Sequence, residues 1–166
     1  MADIMKRAKR RHLLVKSYLK DHSLVESNIL SFNDFIDRRM QDIVNDISSN
    51  INNEEVEVKL GKIRMEKPTI IESDGSISLL TPAEARIRNV TYSANVFLEI
   101  SVRQIDQTES QDVEIGRIPV LVKSKACNLY GMGKEELEAN YEDPLDPGGY
   151  FIINGTERVI VMVEEV

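Results

Sequence analysis

Residues 92–103, YSANVFLEISVR, decide the fold class. Ala94, Val96, Leu98, Ile100 and Val102 take every second position, with Phe97, Glu99, Ser101 and Arg103 between them. A period of two puts the first set on one face of a β-strand, where a core can cover it. Forward of this stretch, residues 104–112 are polar and predict a loop, and residues 113–122 predict a second strand antiparallel to the first. Pro119 has no amide donor, so that strand lies at an edge or carries a bulge. Backward, Val56, Val58 and Leu60 alternate, and after Gly61 the apolar positions move to Ile63 and Met65, a phase change that predicts a bulge or turn before Pro68 closes the segment.

Turns and helices surround these strands. Ser73-Asp74-Gly75 predicts a turn. Thr81-Pro82-Ala83-Glu84 forms a capping box with proline at the first helical position and opens a short helix carrying Arg86 and Arg88. A short helix is expected over residues 134–141, and the prolines and glycines of residues 143–149 then force turns. Asn154-Gly155 suits two positive φ angles and predicts a type I′ hairpin joining residues 150–153 to 156–163. Near the start, residues 3–20 are strong helix formers. A second helix follows Ser31 as its cap, with Phe32, Phe35, Ile36, Met40, Ile43, Val44 and Ile47 at three- and four-residue steps. Asp34, Asp37, Arg38, Gln41 and Asp42 read as its solvent face. The expected class is α+β, with N-terminal helices packed on a mixed, largely antiparallel sheet.

Composition bounds the function. The 166 residues are 42% hydrophobic and 30% charged, which supports a packed core and excludes disorder throughout. No apolar run approaches the roughly 18 residues of a membrane span, so no membrane partner is expected. The lone Cys127 forms no internal disulfide and fits a reducing, cytoplasmic setting. Asn89-Val90-Thr91 and Asn154-Gly155-Thr156 match the glycosylation pattern but read as structural. The net charge of −7 is uneven: Lys6, Arg7, Lys9, Arg10, Arg11 and Lys16 carry six positive charges with no acid between them, leaving −13 elsewhere. That run is either the solvated face of the first helix or a contact for phosphates or an acidic partner.

Reactive constellations are not found. Gly131-Met132-Gly133-Lys134 fails as a phosphate loop, because Asn128 stands at the first glycine position and Glu135 where Ser or Thr would bind magnesium. The dinucleotide pattern fails because its third glycine falls at Glu136. His12 and His22 lie in the N-terminal region, Cys127 has only Lys123 and Lys125 beside it and reads as a buried hydrophobe, and no zinc set stands out. Arg117, Lys123 and Lys125 fall at even spacing, so in extended chain they project to one side, either as a phosphate-contacting row or as protection of an edge strand. Aromatic residues make up 5%, too few for a base-stacking platform.

Four ordered blocks carry a family likeness: residues 72–75 (ESDG), 82–92 (PAEARIRNVTY), 116–129 (GRIPVLVKSKACNL) and 148–161 (GGYFIINGTERVIV). They resemble the N-terminal region of the second-largest, β-like subunit of multisubunit DNA-directed RNA polymerases. The Ser-Lys-x-Cys segment is similar to the archaeal and eukaryotic branch, residues 153–161 (INGTERVIV) also to the bacterial subunit, and residues 31–36 (SFNDFI) to the family's early helix. An archaeal origin is favoured.

The resemblance implies that residues 23–166 are the first part of the protrusion domain on one wall of the DNA cleft, and that residues 1–22 are a basic N-terminal helix or arm. It further implies a fragment of a longer subunit that is not catalytic alone. The family's nucleotidyl transfer uses two metal ions held chiefly by the largest subunit, so no catalytic residue, metal or cofactor is expected in this chain. Expected partners are the other polymerase subunits, the remainder of the β-like subunit, DNA and the RNA–DNA hybrid through their backbones, and an initiation factor of the TFIIB kind. Arg117, Lys123, Lys125 and Arg158 are the candidate nucleic-acid contacts, and Arg86 and Arg88 are assigned to structural ion pairs. The alternative is a free-standing interaction or regulatory domain derived from the polymerase. A fragment would leave a strand edge exposed over residues 156–163.

Overall fold

The computed structural model describes residues 2–48, 57–104 and 107–161. Helix α1 (Ala2–Asp21) leads to α2 (Glu26–Asp34), a π-helical turn (Phe35–Arg39) and α3 (Met40–Ser48). Then come β1 (Glu57–Met65), β2 (Thr69–Ile71), β3 (Ile77–Leu79), α4 (Pro82–Ile87), β4 (Ser93–Gln104), β5 (Gln107–Pro119), α5 (Lys134–Ala139), β6 (Phe151–Ile153) and β7 (Thr156–Arg158). The strands form three antiparallel sheets: β1-β4-β5, β2-β3 and β6-β7.

The alternating stretch is the central strand of the largest sheet. On its apolar face Val96, Leu98, Ile100 and Val102 stand opposite Met65, Ile63, Leu60 and Val58 of β1. The phase change at Gly61 is a break in register between Leu60 and Ile63. Polar residues 107–112, expected as loop, instead continue β5, with Asp112 opposite Glu99 and Gln107 opposite Gln104. This end of the ribbon is exposed on β5, so no alternation marks it, and main-chain pairing with β4 holds it extended. β5 stops at Pro119 rather than residue 122, because the chain changes partner: Val120 N–H donates to Tyr92 O at 2.8 Å and Val122 N–H to Tyr150 O at 2.9 Å.

The second helix begins at Glu26, five residues before the expected cap, and Ser31 lies inside it. Its π turn inserts one residue, so Met40 and Val44 stay buried while Asn33 and Asp37 meet the turn around Lys125. Gln41 is not on the solvent face. Its side chain donates to the Gly61 carbonyl at 3.1 Å and accepts from Ile63 N–H at 3.0 Å, satisfying the backbone groups that the bulge in β1 frees. Along α1, Leu13, Leu14 and Tyr18 are more than half exposed.

The main core lies beside this sheet, where Leu80, Ala85, Tyr92, Ala94, Val120, Val122, Cys127 and Ile152 are almost completely buried. The capping box forms at Thr81, and Asn154 and Gly155 have φ of 49° and 72°, as the type I′ turn requires. The second hairpin strand is shorter than expected. It ends at Arg158; Val159, Ile160 and Val161 are exposed, and residues 162–163 lie outside the described residues. Pairing with β6 alone leaves the outer edge of β7 open among the described residues.

Gly148 sets the turn before β6. Its φ is 72°, and a Cβ there would lie 2.7 Å from the Val122 carbonyl oxygen, which already accepts from Gly149 N–H at 3.0 Å. Left-handed strain and backbone overlap act together, so Gly148→Ala lowers stability by roughly 2–4 kcal/mol. The midpoint of urea unfolding measures this, and an unchanged midpoint refutes it.

Candidate nucleic-acid interface

The four candidate cations do not form one row. Arg117 is on β5, and its guanidinium donates to the Thr69 carbonyl at 3.0 Å. Beyond Pro119 the chain turns: Lys123 has φ of 64°, is half-buried and donates its ammonium to the Asp146 carbonyl. Lys125 N–H donates to Asn33 Oδ1 at 2.9 Å, and its ammonium pairs with Asp37, whose hydrogen bond and charge raise the lysine pKa. Even spacing puts residues on one side only in extended chain, and this segment is a turn. Lys123 and Lys125 therefore dock the turn onto the 143–149 loop and the first helices. Arg158 is exposed at the end of β7, on the rim of an apolar groove lined by Phe32, Phe35, Ile118, Phe151 and Ile160.

Among the described residues Arg10, Arg11, Lys16, Lys62, Arg117 and Arg158 have no acidic partner within ion-pair distance, and the first three continue the basic run along α1. Lys67 escapes sequence reasoning. Its ammonium donates to the Lys125 and Cys127 carbonyls at 2.8 Å each, and no spacing rule announces a lysine that binds main chain 58 and 60 residues away.

Arg86 and Arg88 do make ion pairs. Arg86 contacts both carboxylate oxygens of Glu142 at 3.2 Å, Glu157 at 2.8 Å and the Tyr150 hydroxyl at 2.6 Å. Burial alone would lower the Arg86 pKa, but the Glu142 carboxylate, then Tyr150 and the hydrogen bonds to Glu142 and Glu157, raise it on balance. Arg88 pairs with Glu72 at 2.9 Å, and that hydrogen bond, with one from Ser78, holds the Glu72 carboxyl below its usual range. Cys127 is fully buried, with its sulfur 3.4 Å from the Tyr92 hydroxyl. Burial first, then Cys127, pushes the Tyr92 phenol far up, so it stays protonated and can donate to that sulfur. Among the described residues no group of three or more His, Cys, Asp or Glu could hold a metal ion, and no helix is long and apolar enough to cross a membrane.

The family model described as RNA polymerase beta subunit matches residues 23–166. The chain therefore belongs to the RNA polymerase beta subunit family, and corresponds to a segment of the archaeal second-largest subunit. It is 45% identical over 161 residues to DNA-directed RNA polymerase subunit Rpo2N of Methanocaldococcus jannaschii, covering 92% of this chain and 32% of that subunit. It is 43% identical over 169 residues to Rpo2N of Halobacterium salinarum, covering 92% of this chain and 32% of that subunit. Against the subunit Rpo2 of Sulfolobus acidocaldarius it is 39% over 159 residues, covering 94% of this chain and 14% of that subunit. The chain thus spans about a third of the length of the Rpo2N relatives.

Proposed function

We propose that this chain is a structural piece of the wall of the DNA and RNA cleft of an archaeal RNA polymerase, the first part of its protrusion. It works in the cytoplasm, needs no cofactor of its own and makes no bonds. Its partners are the rest of the subunit, the other polymerase subunits, DNA and the RNA–DNA hybrid, and an initiation factor of the TFIIB kind. The observation that carries this reading is the family match over residues 23–166. Charged side chains tied up in ion pairs within the fold, as at Arg86 and Arg88, suit a positioning role. Arg117 and Arg158, which lack acidic partners, supply the backbone contacts, while Lys123 and Lys125 contribute only by releasing their present acceptors. Contacts to phosphate fix position without reading sequence.

The test is assembly. A tagged chain supplied with the remainder of the subunit co-purifies with the other polymerase subunits; failure to enter the particle overturns the proposal. In that particle Arg117→Ala with Arg158→Ala weakens retention of nucleic acid without sequence preference, and lowers the slope of log affinity against log salt by about 0.9 for each phosphate that is no longer neutralised. An unchanged slope removes these two residues from the interface.

A further inference from the structure

The basic run near the start of the chain lies in α1, and residues 10–19 of that helix are all exposed, so this part of α1 stands clear of the rest of the fold. Among the described residues Arg10, Arg11 and Lys16 have no acidic partner within ion-pair distance. A helix turns by about 100° per residue, which puts positions 6, 9, 10, 13 and 16 within about 120° of one another along about 15 Å of its length. Lys6, Lys9, Arg10 and Lys16 fill four of these positions, and Leu13 fills the other. No acid interrupts the run from Lys6 to Lys16, whereas the remainder of the chain carries −13. The positive charge is thus gathered on one helix and held away from an acidic body that repels phosphates.

A stripe of this kind selects an anionic partner, and anionic surfaces differ in what else they require. A lipid surface takes up an apolar face free of charge, but Arg11 stands four residues before Val15 and seven before Tyr18, in the middle of the apolar side of α1. A single strand needs rings on which its bases stack. Tyr18, the aromatic residue of α1, falls on the side away from the stripe, with its ring 4.6 Å from that of His22. A duplex needs only a line of cations, because it carries one negative charge per roughly 1.7 Å of axis whatever its sequence. We propose that α1 is a backbone contact for double-stranded DNA, made by Lys6, Lys9, Arg10 and Lys16 and separate from Arg117 and Arg158. The contact rests on the proposed place of the chain beside nucleic acid in a polymerase, which favours a duplex over an acidic polypeptide.

The experiment places a photoreactive amino acid at position 13, inside the stripe, in the chain supplied with the rest of the subunit, assembled into polymerase and given labelled double-stranded DNA. The expected product is a cross-link to DNA, reduced about tenfold at fixed salt by Lys6→Gln, Lys9→Gln, Arg10→Gln and Lys16→Gln together. Glutamine matches lysine and arginine in helix propensity, so α1 is kept. The same four substitutions lower the slope of log affinity against log salt by about 3, whereas Arg117→Ala with Arg158→Ala leaves the cross-link at position 13 in place. A cross-link to a polypeptide or to a second copy of the chain overturns the contact, as does tighter binding of the particle to single strands or to vesicles containing phosphatidylserine than to the duplex. So does the absence of any cross-link, or one that the four substitutions leave unchanged. Co-purification is scored on the same sample: a particle that assembles and holds DNA without the cross-link removes the α1 contact alone, whereas a chain that never assembles removes both proposals.

Discussion

Arg86→Ala destabilises the fold by about 3–5 kcal/mol, among the largest losses any single polar substitution here produces. The cause is the group left behind. The Glu142 side chain is 4% exposed, and Arg86 is its ion-pair partner. Without the guanidinium, a carboxylate out of contact with water keeps no compensating charge, and the Tyr150 hydroxyl and Glu157 lose a shared partner. Four positions far apart in sequence then come loose together: α4, Glu142, the start of β6 and β7. Arg88→Ala is the contrast, since its pair with Glu72 is partly open to solvent and strands no buried charge, so its loss costs far less. Urea unfolding of the two variants side by side reads the difference, and equal midpoints contradict it. Replacing Arg86 by Met together with Glu142 by Leu recovers part of the loss, because the stranded charge is gone.

Tyr92→Ala is expected to cost about 3–5 kcal/mol, from the packing removed and the cavity left where a fully buried ring stood. The residue joins three parts of the core. Its N–H donates to the Ile152 carbonyl at 2.9 Å, its carbonyl accepts from Val120 N–H, and its hydroxyl accepts from Asn128 N–H at 2.9 Å. Asn128 in turn donates its side-chain amide to the Pro68 and Leu80 carbonyls at 2.9 and 2.7 Å, so the ring is linked to β2 and β3 through one residue. Tyr92→Phe keeps the volume but leaves Asn128 N–H without its acceptor, a smaller loss of about 1–3 kcal/mol. Reaction of Cys127 with a thiol reagent gives a local readout: slow in the native chain, where the sulfur is fully buried, and clearly faster in Tyr92→Ala. A thiol equally protected in both rules out the proposed role of the ring.

Much of this architecture is legible before any coordinates. The strand at residues 92–103, the bulge at Gly61, the capping box at Thr81 and the Asn154-Gly155 turn are each set by one to a few neighbouring residues, and each forms. Features that depend on distant partners are not legible. β5 extends over polar residues because β4 pairs with it, and Gln41 turns inward because the bulge it serves is 20 and 22 residues away. Lys123 and Lys125 leave the expected basic row for the same reason: their acceptors, the Asp146 carbonyl and Asp37, are 23 and 88 residues off.

Local pattern alone was enough to establish an α+β chain and to mark the blocks shared with the polymerase subunit, since backbone preference, turn chemistry and block order act over short spans. Tertiary structure alone decided which cations stay available and which are tied to distant acceptors. Charge pairing depends on separations in space, and those are set only when the chain has packed.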